Sequence, residues 1–79
     1  MEWNEAYAKG HSVTINSHGV ETVTSPVRYQ PKSGDLTVYY NGLYAVLDKD
    51  YIEVSPYSIK FLYELDKGDV VVFHVQKLW

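Results

Sequence analysis

The sequence predicts an all-β protein, a small antiparallel β-sandwich or barrel of roughly six to seven short strands. One observation behind this is the aromatic fraction of 15%, made of eight Tyr, two Trp and two Phe, since aromatic side chains favour a half-buried pleated surface. The other is the pattern: short alternating apolar and polar runs, punctuated by turn residues, with no sustained helical period. At 79 residues the chain has room for one small core, so residues 1–79 form a single β domain. The hydrophobic fraction of 46% and charged fraction of 22% fit a globular chain rather than a disordered one. A domain of this size buries only about 60% of the surface its unfolded chain exposes, so its aromatics favour assembly with partner chains.

Residues 1–11 begin the chain as an arm or a helical turn. Trp3 and Tyr7 have helical i, i+4 spacing, but the segment ends at Gly10 and is too short to decide between the two. From Ser12 the chain alternates, with Val13 and Ile15 on one face. Asn16-Ser17-His18-Gly19 follows, then a second alternating run from Val20 to Thr24, which together predict a hairpin with its tip at 16–19. Pro26 and Pro31 punctuate an irregular connection that ends in the polar turn Lys32-Ser33-Gly34-Asp35.

Leu36-Thr37-Val38-Tyr39-Tyr40 is the clearest strand in the sequence. It runs into Asn41-Gly42, the dipeptide suited to a type I′ turn because both positions tolerate positive φ. Leu43 to Leu47 returns as the partner strand, Asp48-Lys49-Asp50 turns the chain, and Tyr51 to Val54 forms a short strand broken by Ser55-Pro56-Tyr57. In the next strand Ile59, Phe61 and Tyr63 share one face, with Ser58 and Lys60 on the wet one. Asp66-Lys67-Gly68-Asp69 then turns into Val70-Val71-Val72-Phe73-His74-Val75-Gln76, an apolar run expected to be a central strand buried on both faces.

Charge and composition exclude several functions. Seven Lys and Arg against ten Asp and Glu give a net charge of -3, and no basic cluster is present to displace counterions from phosphates, so no nucleic-acid partner is expected. No cysteine occurs, which removes disulfides, thiolate metal sites and cysteine nucleophiles. No stretch approaches ~18 consecutive apolar residues and the start lacks signal-peptide build, so the expectation is a soluble chain made in the cytoplasm with no membrane partner.

No catalytic constellation emerges. His11, His18 and His74 lack metal-ligand spacing, and Asp48, Asp50 and Glu53 lack the glycine a calcium loop requires. The acids cluster in turns, where water keeps them ionised and unsuited to a carboxylate dyad. There is no Gly-x-Ser-x-Gly elbow, and the five glycines stand singly. The expectation is a non-enzymatic protein without metal or cofactor. Tyr39 and Tyr40 are adjacent and face opposite ways on a strand, so at most one enters the core. With Trp3 and Trp79 they are the candidate interface residues, because Tyr and Trp offer large rigid apolar faces with a polar tip.

The stretch from Tyr29 to Val75 resembles a module that recurs in structural proteins of tailed bacteriophages, of the head or tail fibre and appendage type. The resemblance rests on Tyr29 and Pro31, then Leu36 to Leu43 with Asn41-Gly42, the pair Asp50-Tyr51 followed by Glu53-Val54, an apolar strand at Ile59 to Phe61, and Gly68-Asp69-Val70-Val71-Val72. Lys49 stands where that family has a glycine before its Asp-Tyr pair, and residues 1–28 lie outside the resemblance. It implies a β-sandwich on a virion, made in the host cytoplasm, that binds other virion proteins and its own copies. Asn41, Gly42, Asp50, Tyr51, Gly68 and Asp69 would be its structural turn motifs. The alternative is a carbohydrate-binding module, with exposed Tyr or Trp stacking on sugars and Asn41 and turn carboxylates meeting hydroxyls.

Overall fold

The computed structural model describes residues 10–76, so Trp3, Trp79 and nearly all of the expected arm lie outside the described residues. The fold is all-β: seven strands in two antiparallel sheets facing each other as a small sandwich. The strands are β1 (His11–Thr14), β2 (Val20–Thr24), β3 (Leu36–Tyr40), β4 (Leu43–Ala45), β5 (Tyr51–Ser55), β6 (Ser58–Leu65) and β7 (Val70–Val75). One sheet runs β1-β7-β3-β4 and the other β2-β6-β5. His11, placed in the arm by sequence, instead opens β1 opposite Phe73.

Alternation along the strands builds the core. Leu36 and Val38 of β3, Val71 and Phe73 of β7, and Ala45 of β4 turn inward from one sheet. Val23 of β2, Tyr51 of β5, and Ile59, Phe61 and Leu65 of β6 meet them from the other. Tyr29, from the connection between β2 and β3, is also buried. Its backbone N–H donates to Pro56 O at 3.0 Å and its hydroxyl to Ser58 O at 2.8 Å, so the ring enters the core with its polar groups satisfied.

The hairpin expected from Ser12 to Thr24 does not form. β1 pairs with β7 and β2 with β6, in different sheets, so residues 15–19 arch across the sandwich. The arch is held by the β6–β7 connection: Ile15 N–H donates to Asp69 O at 2.8 Å, Gly68 N–H to Ile15 O at 2.8 Å, and Gly19 N–H to Leu65 O at 2.9 Å. Ile15 itself is buried and pegs the arch to the core. An arch and a hairpin share the same local pattern of two alternating runs around a polar turn; only the partners of the backbone groups separate them.

Two hairpins do form. β3 and β4 are joined by Asn41-Gly42, with φ of 51° and 86°, as a type I′ turn requires. β5 and β6 are joined at Pro56-Tyr57. β4 is shorter than expected, because after Ala45 the chain leaves the sheet to cross to β5. β7 is central, between β1 and β3, but only Val71 and Phe73 are fully buried; Val70, Val72 and His74 are partly exposed on the outer face. The expectation of burial on both faces is corrected accordingly: the outer face of β7 is only partly buried.

Candidate functional site

Two turns far apart in sequence meet at one end of the sandwich. Because β3 and β7 are neighbours with Tyr40 opposite Val71, the Asn41-Gly42 turn lies against the Gly68-Asp69 turn. The Asp69 carboxylate joins them. Its Oδ2 accepts the Tyr40 hydroxyl at 2.7 Å and the Asp66 N–H at 2.8 Å, and its Oδ1 accepts Asn41 Nδ2 at 3.1 Å. The Asn41 carboxamide completes the link by accepting Val70 N–H at 2.8 Å, while Asn41 N–H donates to Val70 O at 2.8 Å.

These bonds explain the electrostatics. The backbone N–H of Asp66, then the Tyr40 hydroxyl and the Asn41 amide, stabilise the charged carboxylate and hold Asp69 below the ordinary carboxylate range. The same contact acts oppositely on its partner: the bond to Asp69, aided by desolvation, pushes the Tyr40 phenol up to about 12. A second carboxylate works similarly beside it. Asp50 Oδ2 accepts Val46 N–H at 2.7 Å and Oδ1 receives the Tyr63 hydroxyl at 3.4 Å. Burial, followed by the charge of Asp50, raises Tyr63.

The rings of Tyr40, Tyr63 and Phe61 connect these two corners, with centroids 5.7 to 5.8 Å apart and mutually tilted. Tyr51, beside Asp50 in sequence, is buried against Phe61 at 6.1 Å, and desolvation raises its phenol strongly. Asn41, Gly42, Asp50, Tyr51, Gly68 and Asp69 thus belong to one hydrogen-bonded and aromatic framework. Asn41 and Asp69 bond to each other across the two turns, and Asp50 bonds the Val46 N–H and the Tyr63 hydroxyl, an arrangement that fixes the turns.

Tyr39 and Tyr40, adjacent in sequence and both interface candidates, have separate fates. Tyr40 leans into the core edge, as described. Tyr39 points outward beside its cross-strand neighbour Tyr44, with ring centroids 6.2 Å apart at 67°. Tyr44 is 64% exposed. Val72 lies opposite Tyr39 and Ser12 opposite Val72, so a row of Ser12, Val72, Tyr39 and Tyr44 crosses the outer face. The other sheet exposes Ile52 and Val54 on β5 and Leu62 on β6. Leu43, at the β3–β4 turn, is 73% exposed.

The histidines are dispersed. His11 is on edge strand β1, His18 is on the arch at 3.5 Å from exposed Asp66, and His74 is on the outer face of β7. Asp35 departs from the expectation that turn acids are solvated. It is buried with Oδ2 accepting Gln30 N–H at 3.3 Å, and Oδ1 has no hydrogen-bond partner among the described residues. Its place immediately before β3 gave no sequence signal of burial. Tyr44 was also missed as a surface residue, although its position two after Asn41-Gly42 puts it opposite Tyr39 in a two-residue hairpin. Comparison with protein-family models, curated proteins and solved structures finds no match.

Proposed function

We propose that this chain is a non-enzymatic structural module of a tailed-bacteriophage particle, mediating assembly, attachment or surface display through protein–protein contacts. The observation that carries this reading is the division of side chains. Asp69, Asn41 and Tyr40 are engaged with one another and Asp50 with Tyr63, whereas Tyr39, Tyr44, Leu43, Ile52, Val54 and Leu62 stand exposed on outer faces and edges. Exposed aromatic and aliphatic groups on a rigid sheet are suited to being covered by another protein. The resemblance from Tyr29 to Val75 supplies the phage context. The partners are other virion proteins and further copies of this chain, the location is the virion, and no cofactor or metal takes part.

A glycan-binding role is the second reading, favoured by the exposed Tyr39 and Tyr44 pair. Two features weigh against it. The rings meet at 67° and form no shared flat platform for a sugar. Asn41, the expected hydroxyl partner, already has both ends of its carboxamide bonded. Mass spectrometry of purified particles from the producing strain tests the virion reading: peptides of this chain are expected in stoichiometric amount with the structural proteins, and their absence contradicts it. A glycan array with specific hits that vanish in Tyr39→Ala and Tyr44→Ala would favour the second reading instead.

A further inference from the structure

We propose that Asn41 is a latent deamidation site that the fold keeps closed, and that its reaction would be a one-way change dismantling the corner where β3, β4 and β7 meet. The sequence supplies the reactants. Asparagine followed by glycine has the least hindered backbone nitrogen for attack on its own side chain, because Gly42 carries no Cβ, and Asn41 and Gly42 are both exposed to water. Hydroxide removes the proton from Gly42 N, and that nitrogen bonds to Asn41 Cγ. The tetrahedral carbon then expels ammonia, which takes its proton from water, leaving a cyclic imide. Water opens the imide at either carbonyl, giving aspartate or isoaspartate at position 41. Only water and hydroxide are consumed.

The structure opposes the first step. Val70 N–H can only donate, so the carboxamide atom facing it at 2.8 Å is the oxygen, and this fixes Nδ2 toward Asp69 Oδ1 at 3.1 Å. To reach Gly42 N, the side chain must rotate away from β7 and give up both bonds. Attack therefore requires local opening of the corner. The consequence of reaction is equally local. Aspartate places a second carboxylate where a donor faced Asp69, which also serves Tyr40 and Asp66. Like charges at that distance repel. Isoaspartate lengthens the backbone inside a turn whose φ angles of 51° and 86° set the β3–β4 register.

Peptide mapping of the full chain during incubation at mildly alkaline pH tests this, with and without urea. Conversion at position 41 is expected to be slower in the folded chain by roughly tenfold or more, a factor set by the free energy of corner opening. Asp69→Ala is expected to accelerate it beyond Ile59→Ala, a truncation in the opposite sheet, when both are compared at equal folded fraction. Equal rates with and without urea overturn the proposal, as does an Asp69→Ala rate no higher than that of Ile59→Ala. Should Asp69→Ala not fold, Asn41→Asp reports on the consequence. Its melting temperature should fall below wild type at neutral pH, with the deficit shrinking where carboxylates protonate, and an unchanged value overturns the proposal.

Discussion

Asp69 shows how one side chain organises a corner and what pH does to it. Its folded carboxyl lies below the ordinary value of 3.8, so its contribution to stability is fully present above that value and is lost as pH falls through the folded one. The tyrosines run the other way. Tyr40 and Tyr29 are each pushed from 10.0 up to about 12, by the Asp69 bond and by burial respectively, and Tyr51 and Tyr63 are raised too. Their stabilisation is complete below pH 10 and is lost as pH rises through the folded values. Stability measured by urea unfolding should therefore fall at both extremes, and Asp69→Asn should lose the part of the acid fall due to this carboxylate and much of Tyr40's part of the alkaline one, while keeping the parts due to Tyr29, Tyr51 and Tyr63. An acid profile unchanged by Asp69→Asn would show that the Asp69 bonds hold nothing in place. The Asn41-Gly42 turn was legible because its positive φ values are a property of two adjacent residues. The Asn41–Asp69 bond was not, since it spans residues 28 apart and exists only because β7 lies beside β3.

Strands were legible where alternation and turn chemistry are local, and partners were not. Leu36–Tyr40, Tyr51–Val54 and Val70–Val75 emerge from β-branched and aromatic runs, with boundaries near those observed. Whether β1 folds back on β2 or departs to β7 depends on which backbone groups claim the arch, and those belong to residues 65–69. β1 is an edge strand that depends on close approach at its start. A Cβ at Gly10 would lie 2.5 Å from Val72 Cγ1, and the branched Val72 side chain is stiff about χ1. Gly10→Ala should loosen β1 and raise amide exchange in Ser12 to Thr14, and adding Val72→Ala should restore much of the protection. Exchange that stays at wild-type levels in Gly10→Ala would show that this contact does not hold β1.

The whole molecule rests on one small core shared by two sheets, and Phe61 sits at its middle, fully buried and in contact with the rings of Tyr40, Tyr51 and Tyr63. Phe61→Ala should cost about 3–5 kcal/mol. That is comparable with the entire stability of many small domains, so the variant should be largely unfolded by urea titration or circular dichroism, and a loss under about 1 kcal/mol would contradict the packing described. The fold class was legible because composition and turn spacing act over the full chain. The surface was only partly so: Tyr39 was identifiable from its neighbour Tyr40, but the row it forms with Tyr44 and Val72 required the sheet order. That row, with Ile52, Val54 and Leu62 on the opposite face, is the basis for the proposed role in assembly. Light scattering over a concentration series, on wild type and on a Tyr39→Ser, Tyr44→Ser double variant, addresses this directly. A wild-type mass that rises to a discrete oligomer, and a folded double variant of lower mass, is the expected result. A wild-type chain that stays monomeric at every concentration would contradict self-assembly.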